Sequence, residues 1–283
     1  MSRKAASVLI MMFGVLIGGA AATAEPLPER IQRGEPVRQG IANDAPFGYV
    51  DKSGATVGIE VEMIRLLLGK LGAKSIEPIG TSFGALIPGI QANRFDVVSD
   101  GIYIRPERCR AVKFAQPHFM ISVGAFVKKG SAIKAGDLAE LAKNPSLKVG
   151  ILTGGGEGRY FVAAGGKQDQ ISDFADRAGL ASGLKSGRID VALLTSIGAA
   201  STVHNDPELS LLTPFRPVVI DGKPQVSYAA FAFNQADAVF VEAFNKELTA
   251  YIASPEYPKL LAKYGVTADV IPPAGVSVDD LCK

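Results

Sequence analysis

Short apolar segments alternate with amphipathic segments along most of the chain, as in an α/β protein. Residues 58–71 illustrate the helical pattern, because Ile64, Leu67, Leu68 and Leu71 recur at i, i+3, i+4 and i+7 on one face. The predicted helices are 58–71, 82–92, one from about 157, 178–186, 196–203, 237–252 and 255–264. The predicted strands are 37–42, 75–79, 95–99, 122–127, 147–152, 189–194, 209–212 and 227–233.

The order of these elements predicts two lobes, each a mostly parallel sheet flanked by helices. The strand–helix alternation runs up to residue 99 and begins again after residue 122. We expect residues 25–122 and 228–283 to form lobe 1 and residues 123–227 to form lobe 2. Two crossing strands near 122 and 227 would then act as a hinge, with a small-ligand cleft between the lobes.

The first 24 residues have the pattern of a secretory signal peptide. Arg3 and Lys4 precede an apolar stretch at 8–17, and small residues lead to Ala22-Thr23-Ala24. The apolar stretch is shorter than the roughly 20 residues that a membrane span needs. We therefore expect cleavage after Ala24 and a periplasmic location for residues 25–283.

Charge and composition exclude several classes of protein. The chain has 47% apolar residues, 30 Lys plus Arg, and 28 Asp plus Glu. Removal of Arg3 and Lys4 leaves 28 positive and 28 negative residues, so the remainder is formally neutral. This balance argues against nucleic-acid binding, and the apolar content argues against a disordered chain.

Few residues are available for redox, metal or acid–base chemistry. The two cysteines, Cys109 and Cys282, are too few for a disulfide scaffold or a four-cysteine zinc site. An oxidising compartment favours their pairing, and two separate buried thiols are the alternative. His118 and His204 are the two histidines, and the sequence has no GxSxG, HExxH or CxxC motif. We expect no catalytic residue, no metal site and no cofactor.

A glycine run at residues 153–158 (TGGGEG) lies where a predicted strand turns into a helix. It does not match the GxGxxG dinucleotide fingerprint, and no P-loop Lys-Ser/Thr follows it. One interpretation is a flexible surface turn. The other is an anion site, in which backbone N–H groups at Gly154 and Gly155 receive a ligand carboxylate.

Polar and aromatic residues follow three successive strands at the edge of the predicted first sheet, where ligands of α/β folds bind. Phe47, Phe83 and Tyr103 could form an aromatic cage for a cation, with Asp44 as the counter-charge. Each aromatic taken alone is more typical of packing, and only the three together indicate a cage. Arg108 follows in the same loop as Tyr103, and a guanidinium suits a carboxylate through two parallel hydrogen bonds.

These features resemble the solute-binding proteins of polar amino-acid ABC importers, over nearly the whole chain after the signal peptide. The most similar branch is the ectoine/hydroxyectoine-binding proteins, through GIANDAPFGY at 40–49, FGALIPG at 83–89 and RPERC at 105–109. The resemblance implies a type II periplasmic binding protein fold, a monomer, and a membrane permease as partner. It implies that Asp44, Phe47, Phe83 and Tyr103 surround a cationic ring and that Arg108 binds its carboxylate.

The sequence also departs from that family. Arg105 stands where the family usually has threonine, which adds a positive charge near the site. Thr195 stands where amino-acid binders usually have an aspartate for the α-amine, after GRID at 187–190. Asp44 replaces a frequent glutamate. The missing amine acceptor is compatible with a cyclic amidinium ligand. A polar amino-acid or opine-like binder of the same fold is the alternative, and a secreted lyase or dehydratase is a third interpretation.

Overall fold

The computed structural model describes residues 25–220 and 222–283, so the predicted signal peptide lies outside the described residues. The α-helices, numbered α1 to α11, are Leu27–Gln32, Ile59–Lys70, Leu86–Gln91, Pro106–Cys109, Leu138–Ala142, Glu157–Ala163, Arg177–Lys185, Ser196–Asn205, Ala238–Ile252, Glu256–Lys263 and Val278–Leu281. The strands, numbered β1 to β16, are Val37–Ile41, Tyr49–Val50, Thr56–Val57, Ile76–Gly80, Val97–Val98, Lys113–Phe114, Phe119–Ile121, Val123–Lys128, Val149–Leu152, Ile171–Phe174, Val191–Thr195, Leu209–Leu211, Val219–Ile220, Lys223–Pro224, Ser227–Ala229 and Ala232–Phe233.

Two five-stranded sheets build two lobes. Lobe 1 is the unit around the sheet with strand order β4-β1-β5-β16-β6, and lobe 2 is the unit around the sheet β10-β9-β11-β8-β12. The helices flank these sheets, as the alternating pattern predicts. The structure thus confirms a two-lobed type II periplasmic binding protein fold.

The sheets are mixed, and the prediction of mostly parallel sheets was wrong in this respect. In lobe 1, β1 runs parallel to β4 and β5, whereas β16 runs antiparallel to β5 and β6. In lobe 2, β9 runs parallel to β10 and β11, whereas β8 runs antiparallel to β11 and β12. The antiparallel strands β8 and β16 are those that enter a sheet just after the chain has crossed between lobes, rather than after a helical crossover.

The two segments that connect the lobes pair with each other. Strand β7 is antiparallel to β15 in a separate two-stranded ribbon, with Ile121 opposite Ser227. The predicted strand 227–233 is two strands in the structure, because its first half belongs to this ribbon and its second half to the sheet of lobe 1. The predicted helix 82–92 likewise begins as a 3₁₀ turn, Phe83–Ala85, before α3.

Separate apolar cores support the two lobes. Helix α2 buries Met63, Ile64, Leu67 and Leu68 against lobe 1, as its sequence period predicts. Lobe 2 has its own cluster beneath α5 and α6, which includes Phe161. Each sheet therefore packs mainly on its own helices, while Ile197 of α8 joins the cluster of lobe 1.

A buried hydrogen-bonded pair, His118 and Glu60, lies inside lobe 1, where the chain approaches the ribbon. His118 Nε2 lies 2.7 Å from Glu60 Oε1, and both side chains are fully buried. The other oxygen of Glu60 accepts a hydrogen bond from Gly101 N at 3.0 Å. The sequence interpretation of His118 as a hydrogen-bonded structural residue is confirmed, and His204 is exposed as predicted.

Cys109 and Cys282 form a disulfide with their Cα atoms 5.7 Å apart. The predicted pairing is therefore confirmed, and the alternative of two separate thiols was wrong. The bond attaches α11 to α4, the helix that carries Arg108. Across the described residues, no helix is long and apolar enough to cross a membrane.

Candidate functional site

A small cavity lies between the lobes at the ends of their strands. Its lining residues come from both lobes and are Asp44, Phe83, Asp100, Gly101, Tyr103, Arg108, Leu152, Gly155, Gly156, Glu157, Arg177, Leu194 and Thr195.

Six of the eight residues predicted for the site line this cavity, and they are Asp44, Phe83, Tyr103, Arg108, Gly155 and Thr195. Phe47 and Gly154 lie next to it without lining it. Three charged residues of the lining, Asp100, Glu157 and Arg177, were not assigned to the site from the sequence.

Phe47 belongs to the core of lobe 1, so its predicted place in an aromatic cage needs correction. Its side chain is fully buried and packs edge-to-face on Phe119, with ring centroids 5.5 Å apart. The ring also lies under Gly101, where an added Cβ would come within 3.1 Å of it. Gly101 has φ +62°, so glycine suits both the backbone and the contact. Phe47 thus supports the cavity wall from behind.

Arg108 spans the cleft. Its Nη1 donates to the Tyr103 carbonyl at 3.0 Å, and its Nη2 donates across the cleft to the Gly154 carbonyl at 2.7 Å. Burial, together with the nearby charge of Arg105, lowers the pKa of Arg108 to about 10, so it stays protonated at neutral pH. A guanidinium has five N–H donors. These two bonds use two of them.

In the glycine loop, two N–H groups near the helix start are bound to acceptors of the protein itself. The Gly155 N–H donates to Leu152 O, and the Gly156 N–H donates to Glu157 Oε2 at 2.9 Å. Gly154 contributes its carbonyl, an acceptor, to Arg108. Gly154 has φ +79°, and a Cβ there would lie 3.0 Å from Cα of Gly84 on the other lobe. The loop therefore needs glycine for close approach of the lobes, while the carboxylate of Glu157 occupies the helix start.

Glu157 brings a buried carboxylate from lobe 2 to the cavity. Its Oε1 accepts a hydrogen bond from the hydroxyl of Tyr103, on lobe 1, at 3.0 Å. Burial and the charge of Glu157 raise the pKa of Tyr103 well above its ordinary value. In the sequence, Glu157 lies in the first turn of a predicted helix, where acidic residues are common. For this reason the sequence analysis did not assign it to the site.

Asp44 is paired with Arg177, which the sequence analysis missed. Arg177 begins α7 and forms an ion pair through Nη2 with Asp44 of the opposite lobe. Its Nη1 donates to the carbonyls of Ala45 and Gly198. The sequence analysis did not predict strand β10, which precedes Arg177. Recognition of this strand would have placed Arg177 at a strand end that faces the cleft. Asp44 is therefore not a free counter-charge.

The pKa of Asp44 is raised to about 6. Burial is the largest cause, and the charge of Glu157 adds to it, whereas Arg177 opposes the shift. Burial, with the charges of Asp44 and Glu60, raises the pKa of Asp100 well above its ordinary range. The carboxylates at this end of the cavity thus repel one another, and a cation there would stabilise their ionised forms.

Thr195 and Arg105 have local structural roles in addition to their positions near the cleft. Thr195 Oγ1 accepts from Gly198 N at 2.8 Å and caps the start of α8, while its side chain lines the cavity. Arg105 lies 3.5 Å from Glu107 through Nε and Oε1 and does not line the cavity. Within residues 25–220 and 222–283, no group of three or more His, Cys, Asp or Glu side chains could hold a metal ion.

Comparison with known proteins agrees with this architecture. Residues 37–267 match the family model of bacterial extracellular solute-binding proteins, family 3. The chain is 36% identical over 233 residues to the probable amino-acid ABC transporter periplasmic-binding protein y4tE of Sinorhizobium fredii. The aligned residues are 82% of this chain and 77% of that protein. It is similar to the crystal structure of EhuB in complex with hydroxyectoine, with a TM-score of 0.78, 29% identity, and coverage of 91% of this chain and 98% of that one.

One relative is an enzyme. The cyclohexadienyl dehydratase of Pseudomonas aeruginosa is 26% identical over 172 residues, which are 61% of this chain and 63% of that protein. The Sinorhizobium relative, by contrast, is described as a probable periplasmic-binding protein of an amino-acid ABC transporter. The chain therefore belongs to the bacterial extracellular solute-binding proteins, family 3, and is a solute-binding protein of the amino-acid type of ABC importer.

Proposed function

We propose that the protein binds a small zwitterion, ectoine or hydroxyectoine, between its lobes and delivers it to a membrane permease without changing it chemically. The observation that carries this proposal is one cavity with a guanidinium, Arg108, and buried carboxylates, Asp44 and Asp100, among its lining groups. Arg108 suits the ligand carboxylate, and the acidic residues suit its cationic ring. The likeness to EhuB, at 29% identity, supports the same class of ligand.

Two further residues support a delocalised cation over a primary ammonium. Thr195 supplies a hydroxyl where an aspartate would suit an α-amine, and this hydroxyl already caps α8. Phe83 lines the cavity, and an aromatic face attracts a flat, weakly hydrated cation. A polar amino-acid or opine-like ligand is the second candidate, favoured by the 36% identity to a probable amino-acid transporter component.

The proposed transport cycle uses the two lobes as rigid bodies. Residues 25–122 with 228–283 would form one body and residues 123–227 the other, with the β7–β15 ribbon as the hinge. We propose a periplasmic monomer whose closed form the permease recognises. Cross-lobe bonds, such as Arg108 to Gly154 and Tyr103 to Glu157, would stabilise that closed form.

We expect ectoine to bind more tightly than any common amino acid, and Phe83→Ala to weaken ectoine binding at least tenfold. The loss combines a cation–π contact, about 0.5–2 kcal/mol, with the lost apolar contact of the ring. A thermal-shift screen over ectoines, amino acids and opines would identify the ligand, because binding to the folded state raises its melting temperature. Titration calorimetry then gives the affinities.

Phe215→Ala is the matched control, since this half-buried phenylalanine of lobe 2 does not line the cavity. Its affinity for ectoine should equal that of the unmodified protein. Tight binding of an ordinary amino acid with no response to millimolar ectoine would reject the ectoine proposal in favour of the amino-acid alternative. Conversion of the ligand during long incubation would favour a dehydratase-like activity.

We expect the affinity for ectoine to fall at least about tenfold between pH 7 and pH 5. With a pKa of about 6, Asp44 is about nine-tenths ionised at pH 7 and about one-tenth ionised at pH 5. The ligand cation needs the ionised form, so protons compete with it and binding weakens as the pH falls. The raised pKa of Asp100 acts in the same direction. Calorimetry across this pH range measures the effect.

Asp44→Asn serves as the control for this titration. It should bind ectoine more weakly at pH 7 and lose less affinity on acidification, since one titrating carboxyl has been removed. A constant affinity of the unmodified protein between pH 5 and pH 7 would contradict the role of Asp44.

A further inference from the structure

We infer that Asp100 is a ligand-binding residue that makes the cavity select cations carrying N–H groups over fully alkylated ammonium groups. This inference rests on the proposed function and deepens it, because it states which chemical class of zwitterion the site accepts: amidinium or guanidinium zwitterions rather than betaines.

Asp100 is a buried carboxylate with one unused oxygen at the cavity. It follows β5, only 1% of it is exposed, and it lines the cavity. Its Oδ2 accepts a hydrogen bond from Ala42 N at 3.2 Å. Its Oδ1 is buried and has no hydrogen-bond partner among the described residues. A buried acceptor without a partner is costly, so a ligand that donates to Oδ1 gains from satisfying it.

The protein's own cations at the cavity make no hydrogen bond to Asp100, although Nε of Arg177 is itself a buried donor without a partner among the described residues. Arg177 is paired with Asp44 and donates to the carbonyls of Ala45 and Gly198. Arg108 donates to the carbonyls of Tyr103 and Gly154. The donor that complements Asp100 therefore comes from the ligand.

The cavity has fewer aromatic faces than the sequence suggests, and more acceptors. Phe47 is withdrawn into the core, which leaves Phe83 and Tyr103 as the aromatic lining. Asp44, Asp100 and Glu157 provide carboxylates instead. A quaternary ammonium suits aromatic cages because it has no N–H to donate. An amidinium or guanidinium offers N–H groups on two sides, which matches several carboxylates around one cation.

The electrostatic surroundings of Asp100 agree with this role. Asp44 and Glu60 are the acidic neighbours that, with burial, raise its pKa, and Arg177 is the basic neighbour that opposes them. A ligand cation would favour the ionised form, so binding should release protons to the solvent. Calorimetry in buffers of different ionisation enthalpy detects this release.

The test compares Asp100→Asn with the unmodified protein, using ectoine and glycine betaine as probes. Asparagine keeps an oxygen for Ala42 N, but its amide group would face the ligand donors. We expect the unmodified protein to prefer ectoine over glycine betaine at least about hundredfold, and Asp100→Asn to bind ectoine at least about tenfold more weakly. Proton release should decrease in the variant, while its affinity for glycine betaine should change less than about threefold.

Asp100→Ser provides a second variant, since a hydroxyl can accept a hydrogen bond and carries no charge. Circular dichroism confirms that each variant is folded before titration. Unchanged ectoine affinity in a folded variant would overturn the inference, as would equal affinity of the unmodified protein for ectoine and glycine betaine. The latter result would leave zwitterion binding, and hence the proposed function, intact.

A different result would show that the ectoine proposal, and not the role of Asp100, is wrong. If the unmodified protein does not bind ectoine but binds L-arginine, the proposed ligand is wrong. The same variants are then titrated with L-arginine. Loss of arginine affinity in Asp100→Asn would support the role of Asp100 for a guanidinium or ammonium cation. Unchanged arginine affinity would overturn it.

Discussion

Replacing Arg108 with alanine is expected to weaken ectoine binding roughly 30-fold to several-thousand-fold. Loss of one partner from a buried, hydrogen-bonded charge pair costs about 2–5 kcal/mol, much of it from the partner left unpaired. Arg108 is 8% exposed, and it uses two of its N–H groups on the carbonyls of Tyr103 and Gly154. The substitution therefore removes both a carboxylate contact and a bond between the lobes.

Two further variants are compared with Arg108→Ala. Arg108→Lys keeps a charge but cannot make two parallel hydrogen bonds, so we expect poor recovery of affinity. Arg110→Ala is the matched control, because Arg110 lies at the end of the same helix α4 and is exposed. Titration calorimetry measures all three. An Arg108→Ala affinity within threefold of the unmodified protein would remove Arg108 from the ligand site.

Removing the disulfide with Cys109→Ser and Cys282→Ser is expected to lower the free energy of unfolding by about 2–5 kcal/mol. The two cysteines are 173 positions apart in the sequence, and a cross-link that closes a long loop restricts the unfolded chain most in the chain-entropy model. We therefore expect an effect in the upper part of this range, measured by guanidinium-induced unfolding followed by circular dichroism.

The disulfide also joins two helices, one of which carries a residue of the site. Helix α4 carries Arg108, and the disulfide attaches this helix to the C-terminal helix α11. Treatment of the unmodified protein with a reductant should reproduce the stability of the double serine variant, and the reductant should leave that variant unchanged. An unfolding midpoint that is the same with and without the disulfide would contradict this prediction.

The fold class followed from local patterns. The helix predicted at 58–71 is α2, Ile59–Lys70, and the one predicted at 237–252 is α9, Ala238–Ile252. These segments have an apolar face with a period close to 3.6 residues. In an α/β protein such a face packs against the sheet. Strand direction was less predictable, because β8 and β16 pair with strands that are distant in the sequence.

Part of the candidate site was also predictable from the sequence. Asp44, Phe83, Tyr103 and Arg108 follow strands of one sheet, and the carboxyl ends of neighbouring parallel strands meet at one edge. Phe47 lies in the same kind of loop but turns into the core. A one-dimensional pattern does not distinguish these two orientations, because the choice depends on whether space remains between Phe119 and Gly101.

The sequence by itself determined the two-lobed α/β architecture and most of the cavity residues on lobe 1, and it favoured the cysteine pairing that the structure then confirmed. These follow from periodicity, residue chemistry and the order of elements along the chain. Only the tertiary structure decided which charges face one another across the cleft. The pairing of Asp44 with Arg177 and the contact of Arg108 with Gly154 arise where the two lobes meet, and the unused oxygen of Asp100 lies beside them at the cavity. The physical reason is that Coulomb and hydrogen-bond energies depend on distances in space, which separations along the chain do not specify.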